Sequence, residues 1–135
     1  MVLQYRLETV LTGHQKPVND IVFDLTGSMM ASGGDDCHVI IWDCHTGELS
    51  QEVLIDRHGP VTCLLLVANK YTTAPGGDSL LFIGCADGSI HMYNYDHPMG
   101  LLRHTETIHD QPHEVQSLEY DPHQNRVAFS AGKLC

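Results

Sequence analysis

The sequence predicts an all-β fold, and three observations carry that prediction. Apolar runs are short, of strand length, and are punctuated by Thr-Gly, Gly-Gly and Asp-rich turns. No stretch keeps a helical period over three turns. One block recurs: Ala31-Ser-Gly-Gly-Asp-Asp-Cys-His-Val-Ile-Ile-Trp-Asp43 is answered, 51 residues later, by Phe82-Ile-Gly-Cys-Ala-Asp-Gly-Ser-Ile-His-Met-Tyr-Asn94. Asp36 precedes Trp42 by six residues, and Asp87 precedes Tyr93 by the same interval.

Taken in order, residues 2–11 read as an outer strand. A first unit over about 13–55 follows, with strands around Val18–Phe23, Met29–Ser32, Val39–Trp42 and Leu49–Ile55. Thr26-Gly27, Gly33-Gly34-Asp35-Asp36 and Thr46-Gly47 supply its turns. A second unit over about 57–108 has strands at Val61–Val67, Leu80–Cys85, Ser89–Tyr93 and, more weakly, Leu101–Ile108. Its insertion, 68–79, carries Pro75-Gly76-Gly77 and is expected to be an exposed loop. A partial third unit over about 111–135 begins with Glu114-Val-Gln-Ser-Leu-Glu-Tyr-Asp121, which parallels Pro17-Val-Asn-Asp-Ile-Val-Phe-Asp24. Eleven strands are expected in all.

Composition narrows the function. In 135 residues, 17 Asp and Glu face 7 Lys and Arg, a formal charge of −10. Such a surface repels phosphate backbones and anionic membrane faces, so neither nucleic acid nor membrane is the expected partner. The longest apolar run, Val61–Ala68, is far short of the roughly 20 residues that span a bilayer. Five cysteines without regular spacing do not form a secreted disulfide framework, and the N-terminus has no signal-peptide pattern. An intracellular protein, cytoplasmic or nuclear, is expected.

The residues resemble the WD-repeat β-propeller family, whose units run from a Gly-His pair to a Trp-Asp pair. Gly13-His14 and Trp42-Asp43 match both ends of the first unit, with Ser32 and Asp36 between them. The resemblance implies a hydrogen-bonded tetrad of His14, Ser32, Asp36 and Trp42 inside a blade. A network of this kind is stable only when every member is satisfied. In the second unit Asp87 and Tyr93 are the counterparts, Ile83 stands at the Ser position, and Arg57 at the His position with His58 one place late. No tetrad is expected there, and apolar packing is expected to substitute. In the third unit Gln111 falls at the His position. The resemblance also implies a partial propeller of antiparallel four-stranded blades in an incomplete ring, because propellers close with 4–8 blades. The sequence therefore reads as a segment of a larger propeller or a truncated gene product, with open blade edges available for association.

Catalytic and metal chemistry compete poorly. His14, Ser32 and Asp36 have the composition of a hydrolase triad, but Ser32 sits in an apolar strand without a Gly-x-Ser-x-Gly elbow. Cys37-His38 and Cys44-His45 suggest zinc, yet a strand between them would separate the cysteines by roughly 23 Å. His104, His109, His113 and His123 are expected in a solvated His-rich loop broken by Pro112 and Pro122, with adventitious nickel or zinc binding and pH sensing as the alternatives. No catalytic residue, metal or cofactor is expected. The resemblance implies a scaffold or adaptor that binds other proteins within multiprotein complexes, the alternative being a structural segment that only completes another chain's propeller. The resemblance also implies contacts on the face that carries the outer-to-inner loops and the second-to-third-strand turns, where Gln15, Lys16, Asp35, Cys37, His38, Arg57 and Ser89 are expected. Lys16 and Arg57 stand out because positive charge is scarce.

Overall fold

A computed structural model describes residues 4–69, 78–96, 100–109 and 111–132. The expected Pro75-Gly76-Gly77 loop tip, and both ends of the chain (1–3 and 133–135), lie outside the described residues. Among the described residues ten strands follow one another: β1 (Val18–Phe23), β2 (Met29–Gly34), β3 (His38–Asp43), β4 (Leu49–Leu54), β5 (Val61–Asn69), β6 (Asp78–Cys85), β7 (Ile90–Asp96), β8 (Leu101–Ile108), β9 (Val115–Asp121) and β10 (Arg126–Ala131). They form two four-stranded antiparallel sheets, β1-β2-β3-β4 and β5-β6-β7-β8, and a two-stranded sheet of β9 and β10. Sequential hairpins explain this order, since every described connection within a sheet is a short turn. Residues 4–11, expected as an outer strand, form no ladder among the described residues. An outer strand needs the third strand of another sheet to pair with.

The β5–β6 hairpin is longer than expected. Ala68 pairs with Ser79 and Asn69 with Asp78, so the backbone at these positions belongs to the ladder and not to the expected loop. Two apolar runs already aligned in register continue to pair for as long as both strands stay extended.

β5 shows why the sheets stack. A bulge between Val61 and Cys63 shifts its register, after which side chains alternate. Val61, Leu64 and Leu66 pack with Met29, Ala31, Val39 and Ile41 of the first sheet. Cys63, Leu65 and Val67 pack with Val115 and Leu118 of the third. This strand is buried on both faces, which is why it reads as one continuous apolar run. β1 has the same bulge between Val18 and Asp20. Its equivalents of Val61, Leu64 and Leu66 are Val18, Ile21 and Phe23, which remain 48%, 51% and 58% exposed.

The two seams repeat each other. A side chain at Gly33 would collide with Val61, and one at Gly84 with Cys63 and Val115. Glycine at both sites lets the sheets approach closely. Asn19 Nδ2 donates to the Val61 carbonyl at 2.8 Å, and Thr62 Oγ1 donates to the equivalent Val115 carbonyl. Leu64 N also donates to Asp20 Oδ2 at 2.8 Å.

Candidate functional site

In the first sheet the polar residues form a single directed chain. Asp36 as a carboxylate only accepts, so His14 Nδ1 donates to it, at 2.9 and 3.0 Å from its two oxygens. His14 Nε2 then accepts from Ser32 Oγ at 2.7 Å, and Ser32 Oγ accepts from Trp42 Nε1 at 2.8 Å. Asp36 also takes the backbone N–H of Gln15 at 3.0 Å and of His38 at 3.2 Å. Burial raises the Asp36 pKa, but the Gln15 amide, the His14 imidazole and the His38 amide together hold it below the ordinary value. Above that ordinary value its contribution to stability is complete; it is lost as pH falls through the depressed folded value. Every donor and acceptor is used, and no buried side-chain N or O among the described residues lacks a partner.

The family described as "WD domain, G-beta repeat" matches residues 5–43, which contain His14, Ser32, Asp36 and Trp42. The chain belongs to the WD-repeat family. It is 30% identical over 130 residues to the "WD and tetratricopeptide repeats protein 1" of mouse and of human, covering 94% of this chain and 17% of the relative. It is also 30% identical to the "Nuclear distribution protein nudF 2" of Aspergillus clavatus, covering 83% of this chain and 24% of that one. The chain thus spans a minor part of these relatives' length. A chain in the crystal structure of the mitotic checkpoint complex superposes with a TM-score of 0.65 at 19% identity, covering 87% of this chain and 32% of that one. That likeness concerns the fold: the sheets are blades of a partial WD-repeat propeller.

The second blade differs from expectation. Ile83 at the Ser position is indeed core, but a polar network is rebuilt beside it. Arg57 adopts φ 69°, which turns its side chain out to solvent and brings His58 to Asp87. His58 Nδ1 donates to Asp87 Oδ2 at 2.7 Å. Ser89 Oγ donates to the other Asp87 oxygen and lies 2.9 Å from His91 Nε2. Burial raises the Asp87 pKa, yet the Ser89 hydroxyl and amide and the His58 imidazole bring it below the ordinary value. Tyr93, at the Trp position, packs its ring edge-on against His104, 5.2 Å between centroids. Apolar packing alone therefore does not replace the tetrad. The alternation Ser89-x-His91, which puts both side chains on one strand face, was the signal for it.

The candidate binding residues separate. Gln15, Lys16 and Arg57 are exposed, and Cys37 and His38 are half-buried. Asp35 accepts from Asn19 Nδ2 at 2.8 Å, so it is tied into the blade seam. His38 Nδ1 donates to the Asp36 carbonyl at 2.8 Å, and its Nε2 lies 3.4 Å from Glu52. Ser89 is a correction: it is fully buried, held between Asp87 and His91, and presents nothing to a partner. Beside these turns a polar cleft of about 390 Å³ opens between Asn19, Asp35, Thr62 and Glu114. Cys37 and Cys44 flank β3 at opposite ends, and no described group of three or more His, Cys, Asp or Glu is arranged to hold a metal ion.

Ser32, His14 and Asp36 do carry the bond order of a hydrolase triad. Ser32 is 3% exposed, however, and its oxygen is held by the Trp42 N–H. A nucleophile must reach substrate. The geometry suits a structural lock.

Proposed function

We propose that this chain is a non-catalytic protein-binding scaffold that presents rigid basic turn residues on an acidic propeller segment. One observation carries the proposal: in each blade the His–Asp pair fixes the residue beside an exposed cation. Asp36 binds the Gln15 amide next to Lys16, and His58, pinned to Asp87, follows Arg57 directly. Side chains on a backbone already ordered lose less entropy on binding, which favours recognition. The neighbouring cleft is acidic, with Asp35 and Glu114 on its walls, so a partner segment with both charges fits this end. The partner, in this reading, is another protein of a multiprotein complex in cytoplasm or nucleus, which the family resemblance supports; fold alone names none.

The segment further belongs, in our proposal, to a larger ring. Val61 and Leu64 are 0% and 4% exposed against the first blade, while their first-blade equivalents Val18 and Ile21 lie open. A preceding blade, from the same or another polypeptide, would cover them as the first blade covers the second.

Charge reversal separates the two roles. Lys16→Glu with Arg57→Glu is expected to weaken partner binding by about tenfold or more, measured by quantitative co-purification, with the unfolding midpoint unchanged. An unchanged set of bound proteins would reject the basic turns as the binding surface.

A further inference from the structure

The second blade's polar network has a direction that chemistry fixes completely. Asp87 only accepts, so the single Ser89 proton goes to it, and Ser89 Oγ must accept from His91 Nε2–H. A neutral His91 protonated on Nε2 offers Nδ1 as an acceptor. Thr107 Oγ1, 3.1 Å away, therefore donates to it. With its only proton used, Thr107 accepts from His104 Nε2–H at 2.7 Å. The chain thus runs from exposed His104 on the edge strand β8, through buried His91, to Asp87. There it meets His58 of the β4–β5 link between blades.

We propose that this directed chain is an acid-released latch, holding β8 and the β4–β5 link on the second blade at neutral pH and letting both go when His91 takes a proton. A proton on His91 Nδ1 ends its role as acceptor. The Thr107 hydroxyl proton must turn away, the His91–Thr107 bond reverses, and a cation is left on a side chain that the blade buries. The surroundings then oppose closure. His58 stacks edge-on 4.4 Å from His91, His104 lies 6.5 Å away on β8, and His109 beyond β8 packs 6.3 Å from His58. Against these four imidazoles stand the carboxylates Asp87, in the β6–β7 turn, and Asp56, across a cleft of about 260 Å³ also lined by Tyr93. That cleft brings solvent to the chain.

Burial and neighbouring charge act in the same direction. Burial first, and then the charges of His58, His104 and His109, pull the His91 pKa from 6.5 to about 4, with Asp87 opposing. A depressed histidine stabilises the folded state fully above its ordinary value. That contribution is lost as pH falls from 6.5 towards 4.

The test is histidine NMR and amide exchange on the full chain. At about pH 7.5 His91 is expected as the Nε2–H tautomer. At about pH 5, after correction for intrinsic exchange, protection over 101–108 is expected to fall about tenfold relative to 38–43 of the first blade. His91→Phe, which keeps a buried ring and removes the proton site, should abolish that acid loosening. An Nδ1–H tautomer, an unchanged protection ratio, or loosening that persists in His91→Phe would each overturn the latch. The tautomer and the wild-type ratio decide the question even where the variant fails to fold.

Discussion

Replacing Trp42 by alanine is expected to destabilise the first blade by about 3–5 kcal/mol, as a large core deletion with the loss of a hydrogen bond. The indole is 4% exposed, and its N–H starts the directed chain that ends on Asp36. Its ring also forms the floor under Gly13, where a side chain would stand 2.9 Å from the ring carbon Cη2. Removing the ring opens a cavity below the His14 turn and leaves Ser32 without its donor. Loss of order should then reach Gln15 and Lys16, so binding and stability should fall together. Denaturant unfolding monitors the first effect. A midpoint unchanged by the substitution would contradict the assignment of Trp42 to the blade core.

Gly88→Ala should be nearly as costly, about 2–4 kcal/mol, and its effect should concentrate at the second seam. Gly88 has φ 89°, a conformation that side-chain-bearing residues rarely adopt. An added Cβ would also run into the Gln111 carbonyl and stand 2.7 Å from the His113 carbonyl oxygen. Backbone oxygens of a connecting segment cannot move aside as a side-chain tip can. The β6–β7 turn would separate from the segment that leads into β9, and β9–β10 would lose protection from amide exchange before the first blade does. Equal loss in both blades would argue against this local cause. Cys37, the first-blade counterpart, has φ 64° and half-buried surroundings, so the close carbonyl approach is what makes glycine necessary at Gly88.

Much of the fold was legible because its physics is local. Strand-length apolar runs and turn residues place β1 to β10 within a few residues, and the aligned Asp36–Trp42 and Asp87–Tyr93 intervals reveal two equivalent hairpins. In the first blade His14, Ser32, Asp36 and Trp42 occupy positions at which one hydrogen bond dictates the next. In the second blade the outcome depended on a backbone torsion. With Arg57 at φ 69°, the residue after it, and not Arg57 itself, meets Asp87. Spacing along a chain does not reveal such a rotation.

Ser89 failed for a related reason. Turn position suggested exposure, but the hydroxyl turns inward between Asp87 and His91 and the residue is buried. The His-rich stretch was expected to be solvated throughout, and His113 and His123 are exposed. His104 is exposed as well, but it lies in β8 and joins a chain with His91, which is visible only once β7 and β8 are paired. The β5–β6 hairpin outran its expected loop because register, unlike local composition, is set by two strands at once.

The open flank of the first blade offers the most direct measurement: hydroxyl-radical footprinting of the protein as isolated from its source, with each rate normalised to the residue's intrinsic reactivity. Val18, Ile21 and Phe23 are equivalent to Val61, Leu64 and Leu66, while Leu25, 91% exposed in the following turn, provides an internal standard for open surface. Protection of Ile21 and Phe23 to the level of Leu64 and Leu66 is the expected result for a blade seated in a larger ring. Labelling of Phe23 and Ile21 as fast as Leu25 would contradict it.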